Sequence, residues 1–104
     1  MGWGASDPIN DPQAGTVLDT ITFTHGGPLE IRITLTSPGP FTAILQRRDH
    51  TKRVTHSMLL TSPGGTLTFG PFPEVHVDAD GVIEVVARDT ASGEHQATIW
   101  TRRG

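Results

Sequence analysis

The chain has 104 residues, no cysteine, twelve glycines, eight prolines and a formal net charge of −3 at pH 7. A domain of that length hides roughly two-thirds of its unfolded-chain surface and can build one core, while the missing cysteine excludes a disulfide framework, a thiolate zinc site and a thiol nucleophile. Mild acidity with interspersed charges argues against a protein that coats nucleic acid, and no apolar run approaches the roughly 20 residues a membrane-spanning helix requires; neither nucleic acid nor membrane is an expected partner.

The opening MGWGASDPINDPQAG has neither the basic start nor the apolar stretch of a signal peptide. Its large apolar side chains are Trp3 and Ile9, set among Asp, Asn and Pro, and two such residues cannot form a core. Residues 1–15 are therefore expected to be an extended N-terminal arm and residues 16–104 the folded domain. From there Gly and Pro punctuate short runs rich in Thr, Val, Ile and Phe, and no segment sustains a 3.6-residue apolar period.

Residues 16–24 put Val17, Ile21 and Phe23 on one face, interrupted by Asp19, and HGGP supplies the turn that follows. The clearest strand is residues 29–36, where Leu29, Ile31, Ile33 and Leu35 alternate with Glu30, Arg32, Thr34 and Thr36. Residues 41–48, with Phe41, Ala43 and Leu45 on one side, pair with residues 54–61 as a hairpin whose tip is DHTKR. A short strand at 66–69 is expected to end at Pro71 and Pro73, because proline cannot donate to a ladder, leaving residues 74–78 as a separate strand. Residues 82–89 are apolar on both faces and read as a central strand, and residues 95–101 close the domain with Ala97 and Ile99 on one face and Trp100 on the other. About eight strands recurring at this spacing predict an all-β, antiparallel, jelly-roll-like β-sandwich. Its expected core is Leu29, Ile31, Ile33, Leu35, Phe41, Leu45, Val75, Val77, Ile83, Val85 and Ile99.

EVHVDADGVIE, residues 74–84, raises the question of a metal site. Read as a hairpin with a three-residue loop Ala79-Asp80-Gly81 and Gly81 left-handed, it keeps Val75, Val77, Ile83 and Val85 together and sets His76 opposite Glu84. Glu74, His76, Asp78 and Glu84 then share an exposed face. Neighbours two apart on a strand are about 7 Å distant, too far to converge on one ion, so the expected reading is a polar face with His76 paired to Glu84 and no metal. Asp78-Ala79-Asp80-Gly81 matches only the start of a calcium loop and reads as a turn.

The one charge cluster is RRDHTKR, with Arg47, Arg48, Lys52 and Arg53 around Asp49 and His50. It is either a solvated tip that discourages edge pairing or a docking surface for an acidic partner. Five histidines and several serines are present, but no nucleophile elbow, zinc-protease helix or glycine-rich phosphate loop accompanies them. No enzymatic activity, catalytic residue or cofactor is expected.

The order DPQAGTVLDTITFT, GPLEIRITLTSPG, FTAILQRRD and DGVIEVVARDTASGEHQATIWTRR, covering residues 11–103, resembles the small β-sandwich virion proteins of tailed bacteriophages, including capsid decoration or cement proteins. The resemblance implies a non-enzymatic component of the capsid surface that binds and stabilises the major capsid protein lattice, often as a homo-oligomer, and carries over no residue role. The working surfaces expected from the residues themselves are Trp3 and Ile9 on the arm and Arg47, Arg48, Lys52 and Arg53 on the tip. The rival reading is a carbohydrate-binding or adhesion-type sandwich module of a larger extracellular protein. Such a module usually presents several exposed aromatics, whereas here six aromatic residues exist and most face the expected core.

Overall fold

The computed structural model describes residues 15–88, 91 and 93–103; the expected arm, with Trp3 and Ile9, lies outside the described residues. Seven strands follow in chain order: β1 (Val17–Thr22), β2 (Gly27–Ser37), β3 (Phe41–Arg48), β4 (Val54–Ser62), β5 (Gly65–Val77), β6 (Val82–Ala87) and β7 (Gln96–Arg102). They form two antiparallel sheets, one ordered β1-β6-β3-β4 and the other β5-β2-β7. Only β3 and β4 are consecutive neighbours; every other connection crosses between the sheets. That is the winding of an eight-stranded jelly roll, two four-stranded sheets built from Greek keys, with β1 in the place of its second strand.

Burial explains why these residues make these sheets. All eleven residues of the expected core are buried, none more than 8% exposed, and they join Phe23, Ala43, Leu60 and Ala87 in one cluster between the layers. β3 and β6 run inside their sheet and are buried on both faces: Ile44 and Val86 point away from that cluster and are still only 1% exposed. The double-sided apolar pattern of residues 82–87 has this cause.

Two expectations need correction. The prolines do not divide β5, which runs from Gly65 through Pro71 and Pro73 to Val77. β5 is an edge strand, where a missing N–H can face away from the ladder. Two register shifts against β2, between Leu29 and Ile31 and between Ile31 and Ile33, absorb the extra residues. Among the described residues seven strands are therefore observed, close to the expected eight.

The second correction concerns residues 74–84, which are not a hairpin. β5 and β6 lie in opposite sheets, and the connection is an arch: Gly81 N donates to Asp78 O at 2.9 Å. Asp80 (φ 65), not Gly81, takes the left-handed conformation. Gly81 is needed for close approach instead, since a Cβ there would lie 2.9 Å from Asp78 O and 3.0 Å from Arg48 O. The arch locks onto the one between β1 and β2, with Phe23 N donating to Gly81 O at 2.9 Å and Asp80 N to Phe23 O at 2.6 Å. Val75, Val77, Ile83 and Val85 do share the core, but from opposite sides of it.

Candidate functional site

The tip between β3 and β4 folds its cations back onto the protein. Asp49 organises the turn: its Oδ1 accepts from Thr51 Oγ1 (2.5 Å), Thr51 N (2.8 Å) and Arg53 N (3.2 Å). These bonds, the Thr51 hydroxyl first, hold its carboxyl below the usual carboxylate range. Arg47 donates through Nη1 to His76 O at 2.7 Å and through Nε to Thr55 Oγ1 at 3.0 Å, and its Nη2 meets His56 Nδ1. Arg48 pairs with Glu84 (Nε to Oε1, 2.6 Å) and reaches Lys52 O at 2.7 Å. Lys52 donates from Nζ to Asp80 O at 2.9 Å. Arg53 is exposed. Three of the four expected docking cations are thus hydrogen-bonded within the protein, Arg47 to β5 and β4, Arg48 to β6 and Lys52 to the β5–β6 arch.

Burial lowers the pKa of Arg47, opposed by Asp78. His56 is lowered too, by burial first and then by the Arg47 charge. His56 therefore takes up a proton less readily than a free imidazole.

The four residues of the metal question are separated. Glu84, on β6, is 8% exposed and accepts from Gln46 Nε2 and Arg48 Nε, both at 2.6 Å, so the expected His76–Glu84 pair does not form. His76 stands on β5 opposite Pro28 of β2, and Asp78 lies 3.6 Å from His50. Among the described residues no three His, Asp or Glu side chains are grouped to hold a metal ion. Gln46 is fully buried, and its Oε1 is the one buried side-chain acceptor among the described residues without a hydrogen-bond partner.

The outward face of the β5-β2-β7 sheet is different in character. Thr34 stands between Thr68 and Thr98, and Thr36 between Thr66 and Gln96, a polar grid across three strands. Next along it Arg32 pairs with Trp100 and Glu30 with Arg102. Trp100 is 50% exposed; its Nε1 donates to Thr34 Oγ1 at 3.1 Å and Arg32 Cζ lies 5.7 Å from the ring centroid. Beyond Arg102 the face opens into a groove of about 490 Å³ walled by Pro28, Glu30, Pro73, Glu74, His76 and Arg102. Glu74 sits there with φ 58, at the irregularity where β5 carries an extra residue against Glu30. A left-handed non-glycine residue costs on the order of 1 kcal/mol.

This groove escaped the sequence because its walls come from three strands whose pairing only the fold reveals. Trp100 alone left a signal, falling on the opposite face of its strand from Ile99.

Comparison with protein-family models, with curated proteins and with solved structures finds no match for this chain.

Proposed function

We propose that the chain is a non-enzymatic virion structural protein, a capsid decoration protein that binds the major capsid protein lattice and stabilises it at the capsid surface. The observation that carries this reading is the edge strand β4. An edge presents unpaired backbone groups to any other strand, and proteins meant to stay apart guard their edges with bulges, prolines or charges. β1 has a bulge and turns the Asp19 carboxylate across to β7, where Oδ2 accepts from Ile99 N at 2.7 Å, so one side chain occupies both edges. β5 has two irregularities and two prolines. β4 has neither proline nor Asp, Glu, Lys or Arg; its one register shift against β3 falls at Thr55 beside the tip, and from His56 to Ser62 it pairs regularly and exposes Leu59 (37%). An extended segment of the lattice, or a second copy of this chain, adds to β4 by strand pairing.

The residues themselves supply candidates for secondary contacts. Trp3 and Ile9 would anchor on a neighbouring subunit, each yielding roughly 1.5 to 3 kcal/mol if buried there. Arg53 and Lys52 supply the tip's exposed positive charge, with Arg47, Arg48 and Lys52 also hydrogen-bonded back onto the protein.

Co-sedimentation with assembled capsids tests the proposal. Leu59→Lys with Thr61→Lys puts two charges beside the edge at exposed positions and is expected to abolish attachment while leaving the melting temperature within a few degrees. Full attachment of that variant overturns the β4 reading. Removal of residues 1–14 is expected to weaken attachment without abolishing it.

A further inference from the structure

We propose that the outward face of the β5-β2-β7 sheet, from Trp100 into the groove walled by Glu30, Glu74, His76 and Arg102, is a binding site for a neutral saccharide. The proposal goes beyond lattice attachment, does not depend on it, and lies on the opposite sheet from β4.

The chemistry of the face selects the ligand. Sugar rings offer an apolar C–H surface on one side and hydroxyls around the rim, so they are held by an aromatic face beside planar polar groups that can hydrogen-bond two hydroxyls at once. Trp100 provides the aromatic face. Its indole is already fixed by the bond from Nε1 to Thr34 and by the Arg32 guanidinium over the ring, so little side-chain freedom remains to be lost when a sugar meets the rest of the half-exposed indole. Arg102, one pleat further along β7 and about 7 Å away, opens the groove. Glu30, Glu74, His76 and Arg102 are all planar, hydrogen-bonding side chains on its walls. Pro28 and Pro73 make the rest of the wall rigid and apolar.

Charge decides between a neutral and an ionic ligand. Arg32 and Arg102 are balanced by Glu30 and Glu74, and Arg102 lies 3.8 Å from Glu30. A nucleic acid or a polyuronate approaching this groove would meet two carboxylates, without the excess of cations that binds such polymers. A neutral polyhydroxylated chain can use both signs. Backbone geometry points to the same place: Glu74 is held left-handed in the groove wall, and strain of that kind concentrates where a side chain must be aimed.

The test uses the full chain carrying Trp3→Phe, so that Trp100 is the only tryptophan. It is titrated with neutral probes (dextran, xylan, galactomannan and cellohexaose) and with polygalacturonate and single-stranded DNA. At least one neutral probe is expected to shift Trp100 emission to the blue with saturation, insensitive to 0.5 M salt. In affinity electrophoresis on that probe, with Trp3 restored, Trp100→Ala is expected to lose on the order of ten-fold in affinity. Glu30→Ala and Glu74→Ala are expected to weaken binding, and Arg53→Ala to leave it unchanged. The proposal is overturned if no neutral probe binds, if only the anionic polymers bind and salt releases them, or if Trp100→Ala retains full affinity. Capsid attachment is read in the same variants: its loss in Trp100→Ala with no saccharide bound would show this face to be a lattice contact instead.

Discussion

Glu84 and Gln46 place a hydrogen-bonded polar pair where the strand pattern alone offered only a solvated position. Glu84 accepts from Gln46 and Arg48, and removing Arg48 leaves a buried carboxylate with one donor fewer. Because the Arg48 side chain is 27% exposed, Arg48→Ala should destabilise by about 1 to 3 kcal/mol, less than a wholly buried pair would lose; urea unfolding measures it. Gln46→Met gives up the bond to Glu84 but also removes the unpartnered Oε1, so its net change should stay within about 1 kcal/mol. Glu74→Gly relieves a left-handed backbone and should raise stability by about 1 kcal/mol in the same assay. His56 supplies the pH dependence. Its folded pKa lies below the ordinary histidine value near 6.5, so its contribution to stability is complete above that value and is lost as pH falls through the folded pKa. Between pH 7 and 5 the melting temperature of the protein should fall further than that of His56→Asn, the difference being small because the ring is only partly buried.

At the scale of the element, alternation in the sequence states which residues face the core and leaves open the side from which they face it. Residues 29–36 and 41–48 were legible because their inward faces are uninterrupted, and residues 82–87 because both faces are apolar. Residues 74–84 were misread for the same reason: a hairpin and an arch both turn Val75, Val77, Ile83 and Val85 inward. The choice depends on contacts such as Phe23 to Gly81 that are remote in the chain. Asp19, which broke the pattern of β1, broke it to bridge the sheets. Asp19→Ala should cost about 1 to 3 kcal/mol, the value of a hydrogen bond to a charged group, and should speed hydrogen exchange at the Ile99 amide. Ile33→Ala, at a fully buried site in β2, should cost roughly 2 to 5 kcal/mol. The tip was legible as a charge cluster but not as one hydrogen-bonded back onto the protein, because the acceptors of Arg47, Arg48 and Lys52 include three backbone carbonyls.

For the whole molecule, the two layers leave two outer surfaces, one assigned to the proposed attachment and one to the proposed saccharide site. Among the described residues the four-stranded sheet ends at β4, which from His56 to Ser62 has no bulge, proline, Asp, Glu, Lys or Arg, and the three-stranded sheet carries Trp100 and its groove outward. On the proposed reading the lattice adds to β4. Hydrogen exchange of the protein alone and on assembled capsids tests it most directly, because strand pairing protects backbone amides that are otherwise open to water. Attachment should slow exchange along β4 between His56 and Ser62 and leave the β2 and β7 amides unchanged. Unchanged exchange in β4 on a capsid-bound protein would contradict the account.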